Sequence, residues 1–246
     1  MTPVYTKKVK IFSADTDRFD RLKLSRLLGC LQEAAGDHSA LLGAGRQTLA
    51  EKNLFWAITR HRVQITRLPR AGEKITLETW PMPTTRTAYP RSTVALDEDG
   101  QVLFRAVSLW VLMDTDRRAM ILPGKSGVLV EGLLRGDELT VPAGLLPGKL
   151  AKQDCRQVRF TDLDCNGHMN NCRYLDWAAD VLPSGFHSGH PVRDISVRYH
   201  SEAREGEVIH LGWELEENNC LTLEGLREEP ENSSGHSRIF SVQMQF

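Results

Sequence analysis

A chain of 246 residues, 41% hydrophobic and 26% charged, has room for one large domain or two of ordinary size and the balance of a globular protein. Its formal net charge of -1 gives no global field that would draw it to nucleic acid or to an anionic membrane. No stretch approaches the roughly 20 apolar residues that span a bilayer, and residues 1–10 carry no apolar run suited to a secretory signal. The five scattered cysteines are then expected as reduced thiols in a cytoplasmic compartment.

In chain order, each half reads as a short strand, a helix and then several strands. Leu24, Leu27, Leu28, Leu31, Ala35, His38 and Leu42 recur at helical spacing. They predict a helix over about 23–42, stopped by Gly43 and Gly45. Alternating or apolar runs predict strands at 55–66, 74–81, 88–96 and 102–113, with Asp97-Glu98-Asp99-Gly100 as the hairpin turn between the last two. Residues 124–150, with several glycines, Pro142 and Pro147, read as a linker. Beyond it, Leu175, Ala178, Ala179 and Leu182 mark a shorter helix, ended by Pro183. Strands follow near 194–200, 208–216, 222–227 and 239–246, and the polar stretch 228–236 reads as a turn.

The two halves repeat. Val63-x-Ile65 ahead of Gly72-Glu73-Lys74-Ile75 returns as Val197-x-Tyr199 ahead of Gly206-Glu207-Val208-Ile209, at a constant offset of 134. Ile11, Asp15 and Asp17 match Val158, Asp162 and Asp164 at an offset of 147. Two matches in the same order point to a duplication, with units at 1–123 and 151–246 joined by 124–150. One helix followed by an antiparallel meander, twice over, predicts an α+β fold in which each helix lays its apolar face on a sheet.

Chemistry concentrates in Asp164-Cys165-Asn166-Gly167-His168: a carboxylate, a neutral amide and an imidazole that exchanges a proton near neutral pH. In an extended segment residues 164, 166 and 168 share a face, although a turn at Gly167 would alter that geometry. An acyl transfer to water needs donors for the developing oxyanion and a group to take a proton, and this trio supplies both types.

Followed by Met169-Asn170-Asn171, Tyr174 and Trp177, this motif resembles the second-half signature of plant and bacterial acyl-acyl carrier protein (acyl-ACP) thioesterases. The resemblance continues through Val197-Arg198-Tyr199-His200-Ser201-Glu202-Ala203, where Glu202 falls at the position of the family's catalytic glutamate. The family often carries a cysteine at the next place, and Ala203 stands there in this chain, so a cysteine nucleophile is not expected. The resemblance implies a tandem (double) hotdog, two antiparallel sheets each wrapped around a long helix. It implies hydrolysis of the acyl-ACP thioester in fatty acid biosynthesis, releasing free fatty acid and ending chain elongation. It implies a catalytic set of Asp164, Asn166, His168 and Glu202, an N-terminal half that binds the acyl chain, and no cofactor. Asn166 and His168 would polarise the carbonyl or hold the attacking group, Glu202 would activate water, and Asp164 would act on the thioester or orient its partners. At the two offsets Asn166, His168 and Glu202 correspond to Phe19, Arg21 and Leu68, so one active centre per chain is expected.

Blander readings compete. Asp164, Asn170 or Asn171 could cap the following helix; Glu202 could belong to a solvated cluster with Arg204 and Glu205; Tyr174 and Trp177 read as core. Cys155, Cys165, His168 and Cys172 could be imagined as zinc ligands, but the paired short Cys-x2-Cys spacing of structural zinc is missing, and no metal is expected. An acyl-coenzyme A thioesterase and a non-catalytic acyl-ligand binder are the rival functions, since one fold hosts several. Carrier proteins are acidic, so docking would use rim cations such as Arg86, Arg91, Arg117 and Arg118. Monomer and homodimer are both open.

Overall fold

The computed structural model describes residues 3–136, 139–140, 150–228 and 236–246. They form two compact units, Met1–Val141 and Pro142–Phe246.

Unit 1 runs β1 (Tyr5–Lys10), α1 (Leu24–Leu41), α2 (Arg46–Ala50), β2 (Leu54–Ile65), β3 (Lys74–Pro81), β4 (Tyr89–Leu96), β5 (Val102–Asp114), β6 (Met120–Ile121) and α3 (Pro123–Ser126). Its strands are antiparallel in the order β1-β3-β4-β5-β2, with β6 on β5. The spacing read in the sequence is the buried face of α1: Leu27, Leu28, Cys30, Leu31, Ala34, Ala35 and His38 are all buried, and α1 packs on β1 and β3. Just beyond the helix, Gly43 takes a φ of 74°, a left-handed turn that glycine adopts without strain. The hairpin between β4 and β5 is held by Asp97, whose Oδ1 accepts the N–H groups of Asp99 and Gln101.

The stretch read as a linker begins as part of this unit. Leu133 donates its N–H to Pro81 O at 2.9 Å, Arg135 pairs with Glu78 at 2.6 Å and lies over the Trp80 ring, and Val128 is buried. Residues 141–149 of that stretch lie outside the described residues, as do 229–235 of the expected polar turn.

Unit 2 runs β7 (Lys152–Gln157), α4 (Arg173–Asp180), α5 (Ser184–Gly189), β8 (Asp194–Tyr199), β9 (Val208–Leu215), β10 (Cys220–Glu228) and β11 (His236–Gln245). The strands are again antiparallel, in the order β8-β11-β10-β9-β7. The helix here has 8 residues against 18 in α1. It still buries one face, Tyr174, Leu175, Trp177 and Ala178, and Pro183, with no N–H to continue a helix, stands at the start of α5.

The duplication is visible in backbone hydrogen bonds. Ile11 N–H donates to Glu73 O and Gly72 N–H returns to Ile11 O, both at 2.9 Å; Val158 and Glu207, Gly206 and Val158 make the same pair at the same distances. Leu22 N–H donates to Pro69 O as Met169 N–H does to Ala203 O. Both sequence offsets therefore meet in one structural feature. Among the described residues no helix is long and apolar enough to cross a membrane.

One core polar residue makes a testable demand. His61 is 1% exposed, and its Nδ1 lies 2.8 Å from Ser108 Oγ. Burial disfavours the charged ring and lowers its pKa from 6.5 to about 3. The unfolded chain takes up this proton near 6.5 while the folded chain refuses it down to about 3. This contribution is therefore complete above 6.5 and is lost as pH falls through that window, by up to about 1.4 kcal/mol per pH unit. Urea unfolding at a series of pH values should show this slope, and His61→Gln should flatten it.

Candidate active site

The motif is a closed loop. After β7, residues Phe160–Asp162 form a single 3-10 turn, fastened by Asp162 Oδ2 accepting the Arg159 N–H at 3.0 Å. Leu163 and Met169 then bridge, and Asp164 N–H donates to His168 O at 2.8 Å. Gly167 N–H closes a turn on Asp164 O at 3.0 Å, with Gly167 at a φ of 78°. Residues 164, 166 and 168 thus come together through a turn, and the alternation of an extended strand is not what groups them.

Asp164 holds this loop from inside. Its Oδ1 accepts the Asn166 backbone N–H at 2.8 Å and its Oδ2 the Asn166 side-chain amide at 3.3 Å. It does not cap α4, whose N-cap is Cys172 with no side-chain cap bond; Asn170 forms the turn just ahead of the helix, its Oδ1 accepting the Cys172 N–H at 2.9 Å. Asn166 is exposed, and its amide nitrogen carries a second N–H besides the one directed at Asp164.

Glu202 arrives from the far end of β8. Met169 N–H binds Ala203 O at 2.8 Å and His168 bridges Arg204, so the loop is stitched to the segment that follows β8. This sets His168 Nε2 3.2 Å from Glu202 Oε2. The side chains are 18% and 45% exposed, so the pair adds little to stability and its value is in orientation. The carboxylate can fix the imidazole's direction and tautomer, and either group can take a proton from a nearby water.

Arg227, at the end of β10, supports this arrangement. Its Nη1 donates to Glu202 O at 3.3 Å and to Glu207 Oε2 at 3.0 Å, and its Nη2 to Ser201 Oγ at 3.4 Å. Nothing near Arg227 in the chain signals that role; only the pairing of β9 and β10 brings it to the 201–207 segment.

Other sequence readings sort out by burial. Tyr174 and Trp177 are 2% and 5% exposed and belong to the core, and Ala203 is fully buried. Cys172 is buried while Cys155 and Cys165 are exposed, and among the described residues no cluster of three or more possible ligands forms, so the zinc set is not assembled. Of the proposed docking cations, Arg86, Arg117 and Arg118 are exposed. Arg91 is not on the rim: it is 6% exposed and bonded within unit 1. It occupies one of the inward positions of β4, which a rim assignment from sequence alone could not see.

Unit 1 carries the same loop with other side chains. Asp17 N–H donates to Arg21 O at 2.8 Å, Asp17 Oδ1 accepts from Phe19 N–H, and Asp20 stands at a φ of 57° where unit 2 has Gly167. Arg18 and Arg21 both lie over the Phe19 ring. The positions of Asn166, His168 and Glu202 are held here by Phe19, Arg21 and Leu68.

Comparison with known proteins bears on the family and the fold. The acyl-ACP thioesterase N-terminal domain profile matches residues 2–122, and the C-terminal domain profile matches residues 149–240. A chloroplastic palmitoyl-acyl carrier protein thioesterase of Gossypium hirsutum is 27% identical over 221 residues, covering 84% of this chain and 54% of that protein. A chloroplastic dodecanoyl-[acyl-carrier-protein] hydrolase of Cinnamomum camphora is 28% identical over 194 residues, covering 73% and 51%. The chain spans about half the length of these curated relatives. The solved acyl-ACP thioesterase of Bacteroides thetaiotaomicron superposes with a TM-score of 0.86 at 22% identity, over 99% of this chain and 98% of that one. The 12:0-ACP thioesterase of Umbellularia californica gives 0.81 at 20% identity, over 100% and 97%. The fold is therefore the α+β tandem hotdog. The chain belongs to the acyl-ACP thioesterase family.

The loop geometry generates its own test. Gly167→Val forces a branched side chain into left-handed backbone and should cost about 1–2 kcal/mol. Gly167→Asn should stay within about 0.5 kcal/mol, because asparagine tolerates that conformation and Asp20 holds it in unit 1. Equal destabilisation of both variants in thermal unfolding would contradict the turn described here.

Proposed function

We propose that this protein hydrolyses the thioester of acyl-ACP, releasing free fatty acid and ending chain elongation. The observation that carries the reading is the His168–Glu202 pair, 3.2 Å apart, with the loop that bears Asn166 and His168 bonded through its backbone to the segment that bears Glu202. Family membership and the printed names of the curated relatives support a thioester on a carrier protein as the bond cleaved. On this reading unit 1 binds the acyl chain and unit 2 carries the chemistry.

Water attacks the thioester carbonyl while the His168–Glu202 pair takes its proton. The charge that develops on the carbonyl oxygen is met by the Asn166 amide N–H. The carbon–sulfur bond then breaks, and the departing thiolate regains a proton from the same pair, leaving fatty acid and free carrier thiol. Both oxygens of Asp164 accept hydrogen bonds from Asn166, which favours an orienting role for this carboxylate over direct attack. The exposed Arg86, Arg117 and Arg118 offer charge to an acidic carrier.

Asn166→Ala and His168→Ala should each lower turnover on acyl-ACP by about 10²–10³, and Glu202→Gln should also depress it strongly, all with melting temperatures nearly unchanged. Undiminished turnover in Glu202→Gln would remove Glu202 from the mechanism. Single-turnover hydrolysis in heavy-oxygen water should label only the fatty acid; label in the carboxylate of Asp164 would make it the nucleophile. Parallel assays on acyl-ACP and acyl-coenzyme A separate the two carriers, and hydrolysis of neither leaves a binding protein.

A further inference from the structure

Unit 1 holds a partly open cavity of about 160 Å³ among α1, the turn before α2 and strands β2 to β5. Ala35, Leu42, Trp56, Tyr89 and Trp110 give it mainly apolar walls. Its volume is close to that of engineered cavities that take up benzene, so it admits a segment of roughly six carbons. If the protein is a thioesterase, the body of an acyl chain fits these walls.

The nitrogen atoms on those walls do not fit a plain hydrocarbon. Arg91 lines the cavity from β4 and is 6% exposed. Its Nη1 donates to His38 Nδ1 at 3.0 Å and to Thr79 Oγ1 at 3.4 Å. Among the described residues no carboxylate pairs with it, so its charge rests on these two neutral partners although a guanidinium offers five N–H groups. Burial lowers its pKa to about 10, which leaves it charged at neutral pH. On two more lining residues, Gln32 Nε2 and Trp110 Nε1 are buried and find no acceptor among the described residues. Buried donors without partners are costly, and a buried charge more so. Natural interiors satisfy nearly all such groups, so two orphaned nitrogens beside a buried guanidinium that has no carboxylate mark the place of an acceptor that the ligand brings.

We propose that the unit 1 cavity selects an acyl chain carrying an oxygen at its inner end, a hydroxyl or a carboxylate, which accepts hydrogen bonds from Arg91 with Gln32 and Trp110 as further donors. The proposal names the substrate class of the thioesterase reading and rests on it for hydrolysis, but binding to the cavity is measurable without turnover. The asymmetry behind it is general: a site built to bond a ligand oxygen discriminates strongly against the analogue that lacks it.

The test titrates the intact chain with three capped probes: methyl octanoate, methyl ω-hydroxyoctanoate and monomethyl octanedioate. Capping the head as an ester prevents an ordinary fatty acid carboxylate from entering backwards. Binding is read by calorimetry and by the fluorescence of Trp56 and Trp110, which line the cavity. At least one oxygenated probe should bind about tenfold or more tightly than methyl octanoate, and which of the two is tighter identifies the hydroxyl or the carboxylate as the group recognised. Arg91→Met, similar in reach but uncharged, should erase the preference while binding of methyl octanoate persists. Should Arg91→Met fail to fold, Gln32→Leu carries the test, with a preference reduced severalfold. Equal affinity for the three probes, tighter binding of the saturated ester, no binding of any probe, or an undiminished preference in the variants overturns the proposal. Hydrolysis of saturated acyl-ACP by the same preparation reports separately on the thioesterase reading.

Discussion

Two segments distant in the chain are clasped in each unit by a short set of backbone hydrogen bonds. In unit 2 these are Val158 with Glu207, Gly206 with Val158, and Met169 with Ala203. A loop tip would otherwise be the least constrained part of a fold. Here both of its ends are bonded to the segment after β8, and a carboxylate inside it, Asp164, spends its acceptors on the loop's own N–H and amide groups. His168 and Glu202 meet because these backbone bonds bring their two segments side by side. Their contact is too exposed to organise anything by itself.

The same clasp in unit 1 shows what the scaffold does without the chemistry. Asp17 repeats the loop closure of Asp164, and Asp20 repeats the left-handed turn of Gly167. At the tip, however, Phe19 lies under Arg18 and Arg21. A backbone template duplicated in one chain can keep its hydrogen bonds while its side chains diverge, because those bonds use main-chain groups that substitution does not remove.

The two units also differ in how they use polar groups. Unit 2 presents its candidate residues at a solvated loop, where proton transfer to and from water is possible. Unit 1 buries Arg91, His38 and His61 within or beside its sheet, and Arg91 meets only the neutral His38 and Thr79 there. Retaining a charge in such a place constrains what the cavity can hold more sharply than its volume does.

Much of this was legible in the chain. The helical spacing of Leu27, Leu31, Ala35 and His38, the β3 strand at 74–81 and the Asp97–Gly100 turn depend on local periodicity and turn chemistry, which sequence carries directly. The offsets of 134 and 147 carried the duplication, because equivalent backbone positions ask for similar residues. The motif Asp164–His168 and Glu202 was readable as a set of chemical types and as a family resemblance. Tertiary structure alone decided that Asp164 fastens a loop and does not cap α4, that Arg227 supports Glu202, and that Arg91 faces inward. The Asp164 bonds close within one loop, but the last two depend on which strands become neighbours and in which register, and a one-residue change of register turns every side chain to the opposite face. Periodicity announces that a strand exists; only packing chooses its partner.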